Sequence, residues 1–208
     1  MDRDIEAAFL KTDARDLPAV YVQQWYNAAY DDTISHLHIA WFLPRVMELL
    51  VAGEQVALVG HEVVFQRMRA SGYPAQWADL EVAAVQGFAE AFFAALLADE
   101  IPRADPDIDS WLCMFGTGGV EIAPLLRAMD AMPDTALAEK LNQTWCYNGW
   151  GDISLDSFWN DSPAKRQAWD WYTSETLLQR MESTAMAGSE KALEVHSVIA
   201  RVRAREGL

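Results

Sequence analysis

The chain is short of cysteine and, against its acids, of positive charge, and each shortage narrows the reading. Two cysteines, Cys113 and Cys146, stand in 208 residues. Neither belongs to a CxxC, and two thiols cannot complete a four-ligand zinc site. Both sit in apolar company, "WLCMF" and "QTWCYNGW", as buried free thiols of a reducing compartment do. Against 31 Asp and Glu there are 16 Lys and Arg, a formal net charge of −15. So acidic a surface repels phosphate backbones and anionic membranes, so neither nucleic acid nor membrane is expected as a partner. It suits solubility or a basic partner. The N-terminal "MDRDIEAAFLKTD" has no basic stretch leading into an apolar one, so no secretory signal is read there and a cytoplasmic location is expected. The longest apolar run, residues 77–97, has the length of a membrane span. It carries Asp79, Glu81, Gln86 and Glu90 and therefore reads as a core helix.

Alternating patterns are also scarce, which argues against a sheet. The best strand candidate is "EQVALVGHEVVF", and residues 62–69 read better as helix. Elsewhere the period is helical. Leu80, Ala84, Phe88, Phe92 and Leu96 recur at steps of four, with Asp79, Gln86 and Glu90 opposite. Ala192, Val195, Ile199 and Val202 form a second stripe behind Ser189, a residue suited to an N-cap. Ser162 followed by Pro163 opens a third helix, and Asp134 or Thr135 is placed to cap a fourth. Hydrophobic residues make up 51% of the chain and nine are tryptophan, ample for a packed core. The expected fold is all-α, a single domain over residues 1–208 of stacked antiparallel helices, with a HEAT-like α–α superhelix as one form such a stack takes.

Pro44 interrupts "HIAWFLPRVMELLVAG". A proline inside a helix removes one hydrogen bond and clashes with the preceding turn, at about 3 kcal/mol. Two pieces are therefore expected, one from about Thr33 to Trp41 and one starting at Pro44 and running to about Val51, with a single kinked helix as the alternative. Pro124 in "EIAPLLRAMDAM" faintly echoes the arrangement.

Candidate sites are few. His36 and His38 form an HxH pair, but positions two apart on a helix point in nearly opposite directions and cannot share a metal. Asp31 and Asp32 are charges suited to a helix start. "GTGGVEIAP" matches no phosphate-loop spacing and no lysine follows, so its glycines are read as ending one helix before the next. No nucleophile–base arrangement stands out. No catalytic residue, metal or cofactor is expected. The most unusual stretch is "WCYNGWGDISLDSFWND", residues 145–161, rich in aromatic and acidic side chains and without one base. Trp150, Asp152, Asp156 and Trp159 are the candidate partner-binding residues, since rings beside carboxylates recognise cations. The competing reading is that the rings pin the loop while the acids stand in water.

The stretch "YDDTISHLHIAWFLPRVMELL" resembles a family of uncharacterised bacterial helical proteins that carry an acidic turn followed by an "FLPRhhEL"-like run, where h is apolar. The matching residues are Asp31, Asp32, His38, Phe42, Leu43, Pro44, Arg45, Glu48 and Leu49. The similarity extends in style over residues 20–185. The chain lacks the N-terminal cysteine pair of some members, and "AAY" replaces a "TWG"-like tripeptide before the acidic turn. The resemblance implies an all-helical fold and no activity. The leading expectation is thus a non-catalytic helical interaction module, of immunity or regulatory type, for a basic partner. The alternative is an enzyme or small-molecule binder with a site between helices near His36, His61 and the 145–161 loop.

Overall fold

The structure, a computed structural model, describes residues 7–9, 11–28, 35–102, 104–146 and 151–208. The fold is all-α: helix accounts for 67% of residues, and no strand occurs among those described. Among the described residues, the helices with both bounds described follow in order: α1 (Ala19–Asn27), α2 (His36–Val51), α3 (Gln66–Ala70), α4 (Asp79–Leu97), α5 (Ile108–Gly118), α6 (Ala123–Asp130), α7 (Asp134–Trp145), α8 (Pro163–Tyr172), α9 (Glu175–Met186) and α10 (Glu190–Glu206). The chain divides into two compact units, Met1–Ala104 with Met114–Glu121, and Asp105–Cys113 with Ile122–Leu208.

In unit 1 the Pro44 segment is one helix, not two. α2 runs unbroken from His36 to Val51 with Pro44 inside it. Its core face carries Ile39, Phe42, Leu43, Val46, Leu49 and Leu50, all buried, whereas Pro44 is exposed. Pro44 cannot donate to the carbonyl of partly exposed Ala40, and burial along the other face outweighs the lost bond. Thr33, where the first piece was expected to begin, lies outside the described residues. Pro124 has a different role, in the first turn of α6, where no bond is lost.

α4 corrects the expected stripe. Its buried residues are Val85, Ala89, Phe92, Phe93, Leu96 and Leu97, while Leu80 is 85% exposed. Strict steps of four advance about 40° each around a 3.6-residue turn, so Leu80 and Leu96 lie about 160° apart. Among the described residues α4 is the helix long and apolar enough to cross a membrane by length and composition. Phe92 and Phe65 each meet Phe115 edge-on, at 6.1 and 5.4 Å between ring centroids. Gly118 must be glycine, because a Cβ there would lie 2.4 Å from that of Phe65. Gly119 then turns the chain at φ +92° before α6, as the "GTGG" reading expected.

At the C-terminus of α1 the last carbonyls have no intrahelical donor. The Arg67 guanidinium supplies it, donating to the carbonyls of Trp25 (2.7 Å), Tyr26 (2.5 Å) and Ala28 (3.1 Å). It lies 4.2 Å from the centre of the Trp25 ring and 5.2 Å from that of Tyr26.

In unit 2, α10 packs on α7 and α9. The stripe Ala192, Val195, Ile199 and Val202 is fully buried. Ser162 and Ser189 cap their helices as expected, accepting from the N–H groups of Lys165 and Ala192. α7 departs from expectation: Pro133 is the N-cap and Asp134 is already helical, its carboxylate taken by Arg180 Nε at 2.6 Å. Arg180 also donates to the carbonyl of Asp130, the last residue of α6, and to that of Met132 beyond it, and Arg203 to the Thr173 carbonyl after α8. The Arg67 device thus recurs at two more helix ends.

Candidate functional site

The 145–161 stretch is built around a carboxylate that the sequence did not single out. Asp109 is the second residue of α5 and is wholly buried. Its Oδ2 accepts the Asp156 N–H at 2.6 Å and the Trp159 indole N–H at 3.1 Å, and its Oδ1 accepts the Tyr172 hydroxyl at 3.1 Å. One carboxylate therefore ties the 151–162 segment to α5 and α8. Asp107 accepts the Asp109 N–H at 2.9 Å. Burial pushes Asp109 up to about 7, against the pull of the Asp156 N–H, and Asp107 adds repulsion. Burial likewise pushes Asp107 up to about 6, with Asp105 and Asp156 repelling it. Tyr172 rises well above the usual phenol range, through burial first and Asp109 second.

Each expected partner-binding residue can be placed against this centre. Trp159 points inward and is 6% exposed. Asp156 gives its backbone N–H to Asp109 and accepts from Phe158 N–H at 2.7 Å with its own carboxylate. Asp152 pairs with Arg205 of α10 at 2.9 Å, both partly exposed. The stretch has no base of its own, but α10 supplies one. Trp150 lies outside the described residues.

Beside the segment, unit 2 has an open groove of about 440 Å³. One wall is α10, presenting Leu193, Glu194, Val198 and Arg201; the other is formed by Cys146 and Gly151. Glu194 accepts from Asn142 Nδ2 at 2.6 Å, and Arg201 donates to the Gly151 carbonyl. Burial, then Glu194, raises the Cys146 thiol above its ordinary pKa, while Arg201 pulls the other way. That holds the sulfur as a neutral thiol. The volume suits a small ligand.

His36 and His61 belong to unit 1. His36 Nε2 lies 3.0 Å from Glu81 Oε2, its ring 4.8 Å from that of Trp77. Glu81 also accepts the Ala78 N–H, and this bond, followed by His36, holds its carboxyl below the usual range. His38 is exposed, and His61 sits in a 3-10 turn, His61–Val63. Among the described residues no group of three or more His, Cys, Asp or Glu is arranged to hold a metal ion.

No family model, curated protein or solved structure matches the chain.

The sequence reading missed the Asp109 centre because its donors lie 47, 50 and 63 residues away. The one local signal was an acid in the first turn of an apolar helix, "IDSWLCMF".

Proposed function

We propose that the chain is a non-catalytic helical interaction module whose partner is basic. One observation carries this reading: acids outnumber bases by 31 to 16, and several of those bases are already held within the chain. Arg67, Arg180 and Arg203 serve helix-end carbonyls, Arg45 serves the Leu17 carbonyl and Glu48, and Lys191 and Arg205 pair with Glu139 and Asp152. The acids in excess of the bases give the chain its net charge of −15. A surface of this kind draws a cationic partner by long-range attraction, which salt weakens over a screening length of about 8 Å.

The test is capture from an extract of the source cells, identification of the captured protein, and reconstitution from purified components across salt concentrations. The expected result is a basic partner whose association rate falls steeply with salt. A neutral or acidic partner, or affinity indifferent to salt, overturns the reading.

A further inference from the structure

The groove on α10 has features that the surface charge does not explain, and the inference drawn from it is independent of the interaction reading. Glu194 and Arg201 stand on the groove face of one helix, seven residues apart, which is about 10.5 Å along the axis. Both side chains are exposed, and each is bonded to a different neighbour rather than to the other. Between them lie Ser197 and buried Val198, and Leu193, 56% exposed, stands one residue before Glu194. The groove thus offers a carboxylate and a guanidinium seven residues apart, with apolar surface at Val198 and beside Glu194 at Leu193. A ligand with a single charge would leave one end unmatched, and a purely apolar one would leave both. An extended tripeptide reaches about 10 Å between its ammonium and carboxylate.

We propose that this groove binds a zwitterionic ligand of tripeptide length, its ammonium on Glu194, its carboxylate on Arg201 and an apolar side chain against Leu193 and Val198. Guanidinium–carboxylate contact fixes direction as well as affinity. The second carboxylate oxygen of Glu194 supplies the other end, since Asn142 takes Oε2.

Cys146 provides the readout, because it lines the groove while Cys113 is fully buried. The full chain is titrated with alanyl-leucyl-alanine by calorimetry, and carbamidomethylation of Cys146 by iodoacetamide is timed with and without the peptide. The expected result is saturable binding and slower labelling of Cys146. Blocking either peptide end, by N-acetylation or C-amidation, should weaken binding about tenfold, as loss of one charged contact implies. Glu194→Gln and Arg201→Gln should each do the same, and Arg201→Lys should recover part of the loss. No binding, equal binding of the doubly blocked peptide, or labelling unchanged by peptide overturns the proposal. The blocked peptides decide the matter on the unaltered protein, whatever a substitution does to folding.

Discussion

Unit 1 buries a cation, Arg67, where unit 2 buries an anion, Asp109, and the two meet opposite needs of the backbone and side chains around them. Arg67 is 5% exposed and brings donors to three carbonyls near the end of α1. Asp109 is fully buried and brings acceptors to a backbone N–H, an indole and a phenol. Each joins elements distant in the chain through polar atoms that would be costly to bury alone. They differ in permanence. A guanidinium keeps its charge at every accessible pH. A buried carboxylate does not, so the join in unit 2 responds to pH and the join in unit 1 does not.

The largest effect should follow from removing the cation. Arg67→Met removes three hydrogen bonds from the carbonyls at the end of α1 and puts an apolar chain where the guanidinium stacked, at about 4 kcal/mol. Arg67→Lys keeps the charge but loses the planar fork, and should recover less than half of that. Urea unfolding measures both. If Lys restores full stability, charge rather than geometry makes the clamp.

Asp109→Ala comes next, at about 3 kcal/mol, for the donors it strands. Asp109→Asn should cost less and, more tellingly, flatten the pH profile. The ionisation of Asp109 moves from an ordinary value of 3.8 when unfolded up to about 7 when folded. Such a group contributes stability that is fully present below about 4 and is lost as pH rises through 7, a swing bounded at about 4 kcal/mol. Asp107, pushed to about 6, adds in the same direction over a lower window. Unfolding midpoints from pH 5 to pH 8 should fall in the parent chain and fall less in Asp109→Asn. Equal slopes would remove Asp109 from the account.

Pro44 supplies the uncharged counterpart, a residue that cannot donate to the carbonyl one turn before it, on an exposed helix face. Pro44→Ala should raise stability by about 1 kcal/mol, less than the full proline penalty, because Ala40 is only partly buried and the proline restrains the unfolded chain. A gain near 3 kcal/mol in a thermal melt would show the carbonyl to be as badly placed as the Arg67 set would be without its arginine.

Period and capping in the sequence revealed the all-helical class and two of the helix starts. The α10 stripe and the Ser162 and Ser189 caps were legible because helix period and capping are local. The α4 stripe was misplaced by reading steps of four as one face. Pro44 was misjudged because a local penalty was weighed without the six buried side chains that oppose it. Arg67, Asp109 and the groove were not legible. Their partners lie tens of residues away, and nothing in "FQRMRA" or "DIDSWL" distinguishes a buried charge from a solvated one. For the same reason Trp159 read as a recognition ring, though its indole N–H is bound to Asp109.

Trp159→Phe is the smallest and sharpest test of the contrast between the two units. It keeps an aromatic ring in place and removes a single donor. Asp109 Oδ2 still accepts the Asp156 N–H, so no acceptor is stranded, and the cost should be about 1 kcal/mol. The Trp159 bond helps hold the Asp109 ionisation down. Without it, ionisation in the folded state moves above 7 while the unfolded value stays put. The loss of stability with rising pH therefore extends to higher pH than in the parent chain. The matching change in unit 1, Trp25→Phe, removes part of the stacking on Arg67, whose charge does not titrate, and should lower the urea midpoint equally at pH 5 and pH 9. If Trp159→Phe also shifts the midpoint by the same amount at every pH, then Asp109 is as permanent a charge as Arg67, and the distinction drawn between the two joins is lost.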